Sequence, residues 1–484
     1  MEKIAGRIAE QQILTAALQS NKAELIALYG RRRIGKTYLV NSFFKDKGLF
    51  FELTGIKDAS LKQQLLNFNL EFSNLFFNGK QQTTPSSWLK AFAQLQQQIG
   101  NISPEKKIIL FFDEIPWLAS PRSNFLGALE HFWNRHASRN NNVIVIICGS
   151  AASWMIKKII NNKGGLHGRL TRKIRLLPFT LQETKQFLQA NNIDLDNKQI
   201  IEIYMAIGGV AKYLTFIERG KSSAQIINDI CFSPNGALSR EFHNLYHSLF
   251  NNAENHIKII IALAQKISGL SKNEIIAKTK INSGGSLTNI MHELERSGFI
   301  AKIPMYGKSI YNATYRLIDE FSIFYLSWMI NLNHDLNDVG SHYWLQQHAQ
   351  PKYSTWAGLA FESICLKHLI TIKQALGIAA VTSYASSWRY ISRSAEDTTG
   401  AQIDLVIDRS DNCINLCEIK FSKNKLRIDK NYANNLNHKK AVFQAQTNSR
   451  KSLFTTLITT YGTEHNNNYI NSVDQELTID IFFS

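Results

Sequence analysis

From Gly30 to Thr37 the chain reads Gly-Arg-Arg-Arg-Ile-Gly-Lys-Thr, and this stretch decides the fold of the N-terminal third. It matches the pattern G-x-x-x-x-G-K-[ST] completely, which predicts a phosphate-binding loop. A short apolar run, residues 24–29, precedes the loop, and the residues after Thr37 have helical character. Because strand, glycine-containing loop and helix follow in the required order, we expect an α/β domain on a parallel sheet.

Each residue type in this loop has a physical role in holding a triphosphate. Gly30 and Gly35 allow backbone angles and a close approach that a Cβ atom would block, so successive N–H groups can face the phosphates. We expect Lys36 to reach the β- and γ-phosphates and the Thr37 hydroxyl to ligate Mg²⁺. ATP and Mg²⁺ are therefore the predicted cofactors. The predicted nucleotide-binding residues here are Gly30, Arg31, Arg32, Arg33, Ile34, Gly35, Lys36, Thr37 and Tyr38.

A second apolar run, residues 108–112, ends in Asp113 and Glu114. It is typical of a buried parallel strand with a carboxylate at its C-terminal tip, the edge at which open α/β sheets bind ligands. Asp113 is the expected partner of Mg²⁺ and of the nucleotide, and Glu114 is placed to orient and deprotonate the attacking water. The alternative is an acidic turn after a core strand.

Two more residues are candidates for contact with the γ-phosphate. A third apolar run, residues 143–148, leads to Ser150, which would lie beside the γ-phosphate if the strand order allows it. Arg169 is the preferred candidate for stabilising the transition state, although solvated loop arginines are common. Whether Arg169 acts on its own nucleotide or on that of a neighbouring copy stays open. Whether the chain forms a homo-oligomer stays open for the same reason.

Composition points to the partner and to the compartment. The formal net charge of +17 and the pI near 9.5 attract polyanions, so DNA is the first partner to consider, against a basic surface without a specific partner. The five cysteines are scattered, as in a reducing compartment. The N-terminus lacks a signal peptide, and no apolar run approaches the ~20 residues that span a bilayer, so we expect a cytoplasmic protein without membrane contact.

The middle of the chain has the order of a winged helix. A helix with a wide apolar face starts near His256, and Ser271 is a good N-cap for a second, short helix. A helix over 286–297 and two strands, 299–303 and 310–316, follow. On this reading Asn289, His292, Glu293 and Arg296 face DNA, and Lys302 and Lys308 contact phosphates. Use of the domain for packing alone is the alternative.

The C-terminal quarter carries Asp404 on one expected strand and Glu418 and Lys420 on the next. Because side chains alternate along a strand, Glu418 and Lys420 share a face. Two carboxylates could hold a divalent ion while the lysine polarises a water molecule. This pattern resembles the PD-(D/E)xK restriction-endonuclease-like fold, and the resemblance adds Glu362, on an upstream helix, to the metal ligands. A solvated Glu418–Lys420 ion pair is the alternative.

Taken together, several segments resemble the archaeal-type ATPase family of the STAND and AAA+ group, over essentially the whole chain. The resemblance rests on Gly6-Arg7, the loop Gly30 to Thr37, Asp113-Glu114, Gly168-Arg169 and the segment Gly208 to Leu214. The family often carries a C-terminal domain of the kind catalogued as DUF234. One departure is Ala211, where the family usually has proline.

The resemblance implies an α/β multidomain chain: a P-loop ATPase domain with a parallel sheet, a helical lid, a winged helix and a restriction-endonuclease-like α/β domain. The expected divisions are a P-loop domain over 1–171, a lid over 172–254, a winged helix over 255–318, a helical linker over 319–354 and a nuclease-like domain over 355–484. Two functions follow: a DNA-acting ATPase with predicted catalytic residues Lys36, Glu114, Arg169, Asp404, Glu418 and Lys420, or an ATP-dependent signalling switch with an inert C-terminal domain.

Overall fold

The computed structural model describes residues 4–161, 166, 168–250, 252–308, 313–332, 342–391 and 400–484. The chain divides into two compact units. The first runs to Phe179 and includes Val210–Lys212, and the second comprises Thr180–Gly209 and Tyr213–Ser484. In the part of the chain described, no helix combines the length and apolar character that a membrane crossing needs.

The first unit is built on one sheet of five parallel strands. In chain order these are β1 (Glu24–Tyr29), β2 (Leu49–Thr54), β3 (Ile108–Asp113), β4 (Val143–Gly149) and β5 (Arg172–Arg175). The strand order is β2-β3-β4-β1-β5. The side chains of β1, β3 and β4 are almost all buried, because helices cover both faces of the sheet.

The helices of the first unit divide between the two faces of this sheet. They are α1 (Ile8–Leu18), α2 (Lys36–Phe44), α3 (Leu61–Phe77), α4 (Trp88–Ile99), α5 (Ile115–Leu118), α6 (Phe125–Arg135) and α7 (Ala152–Met155), with a 3₁₀ turn at Ala137–Arg139 and a π-helical turn at Ile156–Ile160. Helices α1 and α2 pack on one face, and α3, α4, α6 and α7 pack on the other. Two apolar cores hold the sheet between them.

The three apolar runs form parallel strands, as expected, and the strand order, which the sequence left open, places β1 next to β4 and β4 next to β3. The end of the unit differs from the expected division after residue 171. Strand β5 follows that point, yet it pairs with β1 and completes the sheet. Of its four residues only Ile174 is buried, as is usual for a strand at the edge of a sheet. A run this short and polar gives no clear hydrophobic pattern in the sequence.

The second unit opens with helices. They are α8 (Leu181–Ala190), α9 (Asn197–Ile207), α10 (Ala211–Leu214), α11 (Ser223–Ile227) and α12 (Glu241–Leu249), with a π-helical turn at Asn228–Phe232; the first residues of α10 belong to the first unit. Helix α8 starts with a capping box, in which the Thr180 side chain accepts the backbone N–H of Glu183 and the Glu183 side chain accepts the backbone N–H of Thr180.

Three helices and a two-stranded antiparallel sheet come next. They are α13 (Glu254–Ala264), α14 (Lys272–Thr279), α15 (Gly285–Arg296), β6 (Ile300–Ile303) and β7 (Thr314–Leu317). Ser271 caps α14, as expected. Residues 310–312 of the second expected strand lie outside the described residues.

The remainder of the unit forms a mixed sheet with helices around it. Its elements are α16 (Glu320–Trp328), α17 (Tyr343–His348), α18 (Pro351–Lys367), α19 (Leu369–Ala375), β8 (Ser383–Tyr390), β9 (Ala401–Arg409), β10 (Cys413–Lys420), α20 (Lys430–Thr447), β11 (Ser452–Thr459), α21 (Asn467–Ile470), β12 (Gln475–Thr478) and a 3₁₀ turn at Ile479–Phe482. The strand order is β12-β11-β10-β9-β8, antiparallel from β8 to β10 and parallel from β10 to β12.

Candidate functional site

The glycine-containing loop links β1 to α2 at the C-terminal edge of the first sheet, and its two glycines are required by its shape. A Cβ atom on Gly30 would lie 2.2 Å from the carbonyl oxygen of Leu176 and 2.7 Å from Cδ1 of Ile34. Gly35 precedes α2 with a φ of 89°, in the left-handed region that glycine adopts without strain. The loop therefore wraps tightly ahead of the helix N-terminus, where N–H groups can face an anion.

The structure brings the predicted phosphate and magnesium residues together at this edge. The Lys36 ammonium is buried and donates to the backbone carbonyl of Arg31 at 2.9 Å. The Thr37 hydroxyl donates to Oδ2 of Asp113 at 2.5 Å, and Oδ1 of Asp113 accepts the N–H of Glu114 at 2.8 Å. A hydroxyl and a carboxylate, side by side under a phosphate-binding loop, are oxygen donors that fit Mg²⁺.

Glu114 and Ser150 also meet, at the ends of the neighbouring strands β3 and β4. Oε2 of Glu114 accepts hydrogen bonds from the Ser150 N–H at 3.1 Å and from the Ser150 hydroxyl at 2.9 Å. Glu114 has a left-handed backbone, with φ of 48°, and this turns the chain from β3 into α5. The predicted general base is thus held in one orientation by the predicted sensor residue.

The other predicted residues of this site differ in their surroundings. Arg31 and Ile34 are buried, whereas Tyr38 is exposed. The Arg32 guanidinium lies 5.0 Å from the centroid of the Trp117 ring, a cation–π contact. Arg33 has a left-handed φ of 70°. Arg169 lies on the surface in a turn after Leu166, and its role in catalysis stays a prediction.

Sequence analysis missed two groups that hydrogen-bond to backbone carbonyls of the loop. The first is Arg7, which is buried and donates to the backbone carbonyl of Ile34 at 3.2 Å, while its guanidinium lies 4.3 Å from the centroid of the Phe179 ring. The second is the backbone of Lys212, whose N–H donates to the carbonyl of Arg33 at 3.0 Å. Gly6-Arg7 was visible only as part of a family pattern, and the contact of residue 212 depends on tertiary structure.

The second unit carries the predicted carboxylates on three adjacent elements. Glu362 lies on α18, Asp404 on β9 and Glu418 on β10. Leu405 pairs with Cys417, so Asp404 and Glu418 come next to each other, and Oδ2 of Asp404 accepts the N–H of Ile419 at 3.0 Å.

Burial raises the pKa of Glu362 to about 7, and the charges of Asp404 and Glu418 add to the effect, against the cations Arg316 and Lys420. Burial and the charge of Asp404 also raise the pKa of Glu418, against Lys439 and Lys420. Repulsion among the carboxylates is therefore part of the energetics of this cluster.

Among the described residues, three cations interact with these carboxylates. Lys439, on α20, places its Nζ 2.7 Å from Oε1 of Glu418. Lys420, the lysine that the sequence pattern predicts, is farther away, with Nζ 3.8 Å from Oε2 of Glu418 and 42% of its side chain exposed. Arg316, on β7, is buried within electrostatic range of Glu362 and Asp404.

The described residues contain no group of three or more His, Cys, Asp or Glu side chains arranged to hold a metal ion. Glu362, Asp404 and Glu418 are neighbours, but they are not arranged as a group that could hold a metal ion. Lys439 pairs with one oxygen of Glu418. Two polar atoms nevertheless stay buried without a hydrogen-bond partner here, Oε2 of Glu418 and the hydroxyl of Tyr432.

The face predicted for DNA contact is partly engaged inside the protein. Oε2 of Glu293 lies 2.8 Å from Nε2 of the buried His256. The turn after β6 packs on β8, where the Tyr306 N–H donates to the Ser387 carbonyl at 3.0 Å and the Tyr306 ring lies 5.0 Å from the Phe443 ring. Asn289 and His292 stay exposed on α15.

Comparisons with known proteins bear most directly on the N-terminal part. Residues 5–217 match the model of a family described as an ATPase domain predominantly from Archaea. The uncharacterized protein MJECL04 of Methanocaldococcus jannaschii is 23% identical over 372 residues, which are 76% of this chain and 77% of that protein. The uncharacterized ATP-binding protein MJ0423 of the same organism is 49% identical over 42 residues, 9% of this chain and 71% of that protein.

One solved structure similar to this chain is a Walker-type ATPase of Pyrococcus abyssi, PABY2304. It is 18% identical, with a TM-score of 0.46, and the match covers 67% of this chain and 96% of that one.

Proposed function

We propose that this chain, whose residues 5–217 match the model of an ATPase-domain family found predominantly in Archaea, hydrolyses ATP with Mg²⁺ and uses the nucleotide state to control its second unit. The observation that carries the proposal is the hydrogen bond of 2.5 Å between the Thr37 hydroxyl and Asp113 beneath the glycine-containing loop. ATP binding and ATPase character rest on the family match. The magnesium requirement, the residue roles and the coupling are the proposal.

Each residue of the site has a separate role in the proposed hydrolysis. The loop N–H groups and Lys36 bind the β- and γ-phosphates, and Lys36 leaves the Arg31 carbonyl to do so. Thr37 and Asp113 hold the ion, which supplies charge neutralisation on the phosphates when it is bound. Glu114 accepts a proton from the attacking water, and Ser150 orients the Glu114 carboxylate. Arg169 is the proposed stabiliser of the developing charge.

Paired measurements of binding and hydrolysis test this assignment. Isothermal titration calorimetry with ATP and Mg²⁺ should detect binding by the full chain, and Lys36→Ala should weaken it by about a hundredfold, because a charge-assisted contact to phosphate is lost. Glu114→Gln should retain binding and lose hydrolysis. Lys106→Ala, at an exposed lysine, is the control. Unchanged ATP affinity in Lys36→Ala would overturn the assignment.

DNA is the proposed partner of the second unit. Support comes from the formal charge of +17, from the order of α13, α14, α15, β6 and β7, which is that of a winged helix, and from the exposed Asn289 and His292 on α15. The segment from α18 to β11 has the order two helices, three antiparallel strands, helix, parallel strand, which supports a nuclease-like domain of the PD-(D/E)xK and DUF234 kind. The STAND and AAA+ assignment belongs to the same proposal.

A signalling switch with an inert C-terminal domain is the second candidate, and the contact between Lys439 and Glu418 favours it. Incubation of the full chain with DNA and Mg²⁺ or Mn²⁺, with and without ATP, separates the two. DNA cleavage that disappears in Asp404→Ala supports the DNA-acting enzyme. ATP binding without cleavage under either metal supports the switch.

A further inference from the structure

A strongly basic segment follows β10 in the second unit. Residues 420–430 read Lys-Phe-Ser-Lys-Asn-Lys-Leu-Arg-Ile-Asp-Lys, with five cationic side chains and one carboxylate. Lys423, Lys425 and Arg427 are exposed, and we call these three side chains the basic ridge. In the described part of the chain neither lysine makes an ion pair, and Nε of Arg427 lies 3.7 Å from Oε2 of Glu464, with 78% of the arginine side chain exposed. Because an exposed pair of that kind contributes little energy, all three charges are available to a partner.

The backbone under the basic ridge is fixed by hydrogen bonds from a neighbouring segment. The N–H of Leu426 donates to the Gly462 carbonyl at 2.8 Å. The side-chain amides of Asn466 and Asn468 donate to the Ile428 carbonyl at 3.0 and 3.1 Å. Since these bonds already hold the backbone in one shape, a partner that binds the ridge does not have to order it, and the entropic cost of binding is low.

Alternation along this extended segment separates its apolar side chains from its cations. Ile428 is fully buried in a core to which α20 and β11 contribute, and Leu426 packs against the same core. Because successive side chains of an extended chain point to opposite sides, Lys425 and Arg427 point away from that core. Two residues of extended chain span about 7 Å, so the two charges lie in a row along the surface.

The N-terminus of α20 adds to this positive field. The helix is 18 residues long, and the partial positive charge of its dipole lies at the end that follows the basic ridge. Lys430 is the first residue of the helix and is exposed, although the dipole disfavours a cation there. An anion bound at this end would be stabilised both by the dipole and by Lys430.

From this arrangement we propose that the basic ridge and the N-terminus of α20 bind the phosphate backbone of a DNA strand. The inference rests on the proposed DNA partner and names the surface that contacts it. A DNA strand carries one negative charge per nucleotide, which a row of fixed cations attracts whatever the base sequence. An anionic membrane fits this surface less well, because the outward side chains of the ridge offer no apolar group to insert. Binding at the ridge needs neither a metal ion nor cleavage of the DNA.

Fluorescence anisotropy of a labelled DNA oligonucleotide tests the proposal on the full chain, with EDTA present and nucleotide absent so that no cleavage interferes. Lys425→Gln combined with Arg427→Gln should weaken binding at least about tenfold at low salt, because two phosphate contacts are lost. The slope of log affinity against log salt concentration should decrease by about two. Arg219→Gln combined with Arg450→Gln is the matched control, since it removes the same charge from two exposed arginines of the same unit.

The outcomes separate the basic ridge from DNA binding as such. An equal loss of affinity in the ridge variant and in the control shows that only total charge matters, and it overturns the ridge. Unchanged affinity in the ridge variant, with a loss in Lys302→Gln combined with Lys308→Gln, overturns the ridge and keeps DNA as the partner. A wild type that does not bind DNA at low salt refutes the DNA partner, and the inference falls with it. Ridge-dependent binding to vesicles of anionic phospholipid, without binding to DNA, also overturns the proposal.

A measurement on the wild type gives a second readout that needs no variant. Acetylation of lysines, read by mass spectrometry, should decrease at Lys423 and Lys425 when DNA is added, because their ammonium groups then contact phosphates. Lys106, an exposed lysine of the first unit, should react as before. If Lys423 and Lys425 react equally in the free protein and in its DNA complex, the ridge is not the contact surface.

Discussion

The hydroxyl of Ser150 donates a hydrogen bond of 2.9 Å to Oε2 of Glu114, and the N–H of Ser150 donates to the same oxygen at 3.1 Å. The two residues end neighbouring parallel strands, so the sheet itself sets their separation. A carboxylate that accepts two bonds on one oxygen keeps its other oxygen for a water molecule. The orientation of Glu114, the proposed general base, is therefore set by the way β3 and β4 pair.

Ser150→Ala removes one of these two bonds, and we expect kcat for ATP hydrolysis to fall by about tenfold, the effect of one hydrogen bond to a charged group. The affinity for ATP should stay within about twofold of the wild type, because the bond holds the base and not the substrate. Steady-state kinetics with Mg-ATP measure both. Ser138→Ala, at an exposed serine, is the control; a change in KM with unaltered kcat would contradict the role assigned to Ser150.

Thr37→Ala should raise the Mg²⁺ concentration needed for half-maximal hydrolysis by about tenfold, since one proposed oxygen ligand is lost. The variant also leaves the buried Asp113 without its 2.5 Å partner. Titration of Mg²⁺ at saturating ATP measures the shift, and chelation with EDTA should stop hydrolysis in both proteins. Thr37→Ser keeps the hydroxyl and should behave as the wild type; a magnesium requirement that does not change in Thr37→Ala argues against the assigned ligand.

Arg7→Ala should weaken ATP binding by about tenfold although Arg7 does not belong to the loop pattern. The substitution removes the bond to the Ile34 carbonyl and the contact with the Phe179 ring, so the loop loses a side chain that holds its backbone in place. Calorimetric affinity for Mg-ATP is the readout. Arg139→Ala, at an exposed arginine, should bind ATP as the wild type does, and an equal affinity in Arg7→Ala would show that the support is dispensable.

Gly30→Ala should destabilise the first unit by about 3 kcal/mol, because the new methyl group meets the backbone carbonyl of Leu176 at 2.2 Å. The backbone cannot yield as a flexible side chain would. The expected fall in Tm is about 5–10 °C, measured by differential scanning calorimetry. Gly100→Ala, whose new methyl group would have its nearest neighbour at 3.5 Å, is the control within the same unit. A Tm equal to that of Gly100→Ala would refute the steric argument.

The raised pKa of Glu362 makes the stability of the second unit depend on pH. Its folded pKa of about 7 exceeds the unfolded value, so the folded form binds the proton more tightly. This stabilisation is complete below about pH 4 and is lost as the pH rises through 7. Glu362→Gln cannot ionise. As the pH rises from 5 to 8, its free energy of unfolding should therefore increase by about 1–3 kcal/mol relative to that of the wild type.

Thermal unfolding of both proteins across that range measures the difference for Glu362. Lys420 and Arg316 oppose the shift, so the gain should grow further if either cation is removed. Glu183→Gln, at a carboxylate in an exposed capping contact of the same unit, serves as the control. If the stabilities of the wild type and of Glu362→Gln change with pH in the same way, the predicted titration of Glu362 is ruled out.

Local patterns in the sequence were enough to find three of the five strands of the first sheet and its loop. The strands β1, β3 and β4 are apolar runs of six or seven residues. Asp113 ends β3 and Ser150 follows β4, so their positions at one edge could be inferred. Strand β5 could not be found in this way, because it is short and half exposed.

The same limit applies to the cations of the second unit. Lys420 was predicted because it is two residues from Glu418, whereas Lys439 is separated from Glu418 by a loop and two turns of helix and reaches it only through folding. Arg316 comes from a different part of the unit altogether. Spacing along a strand reveals which side chains share a face, but not which helix covers that face.

The position of β1 has a consequence for how the protein is made. This strand leads into the phosphate-binding loop, yet both strands that flank it, β4 and β5, are synthesised more than a hundred residues later. While the ribosome is still producing residues 30 to 142, neither strand that will pair with β1 exists, a state that favours slow folding and chaperone contact. The five-stranded sheet that carries the loop can therefore be complete only after Arg175 has left the exit tunnel.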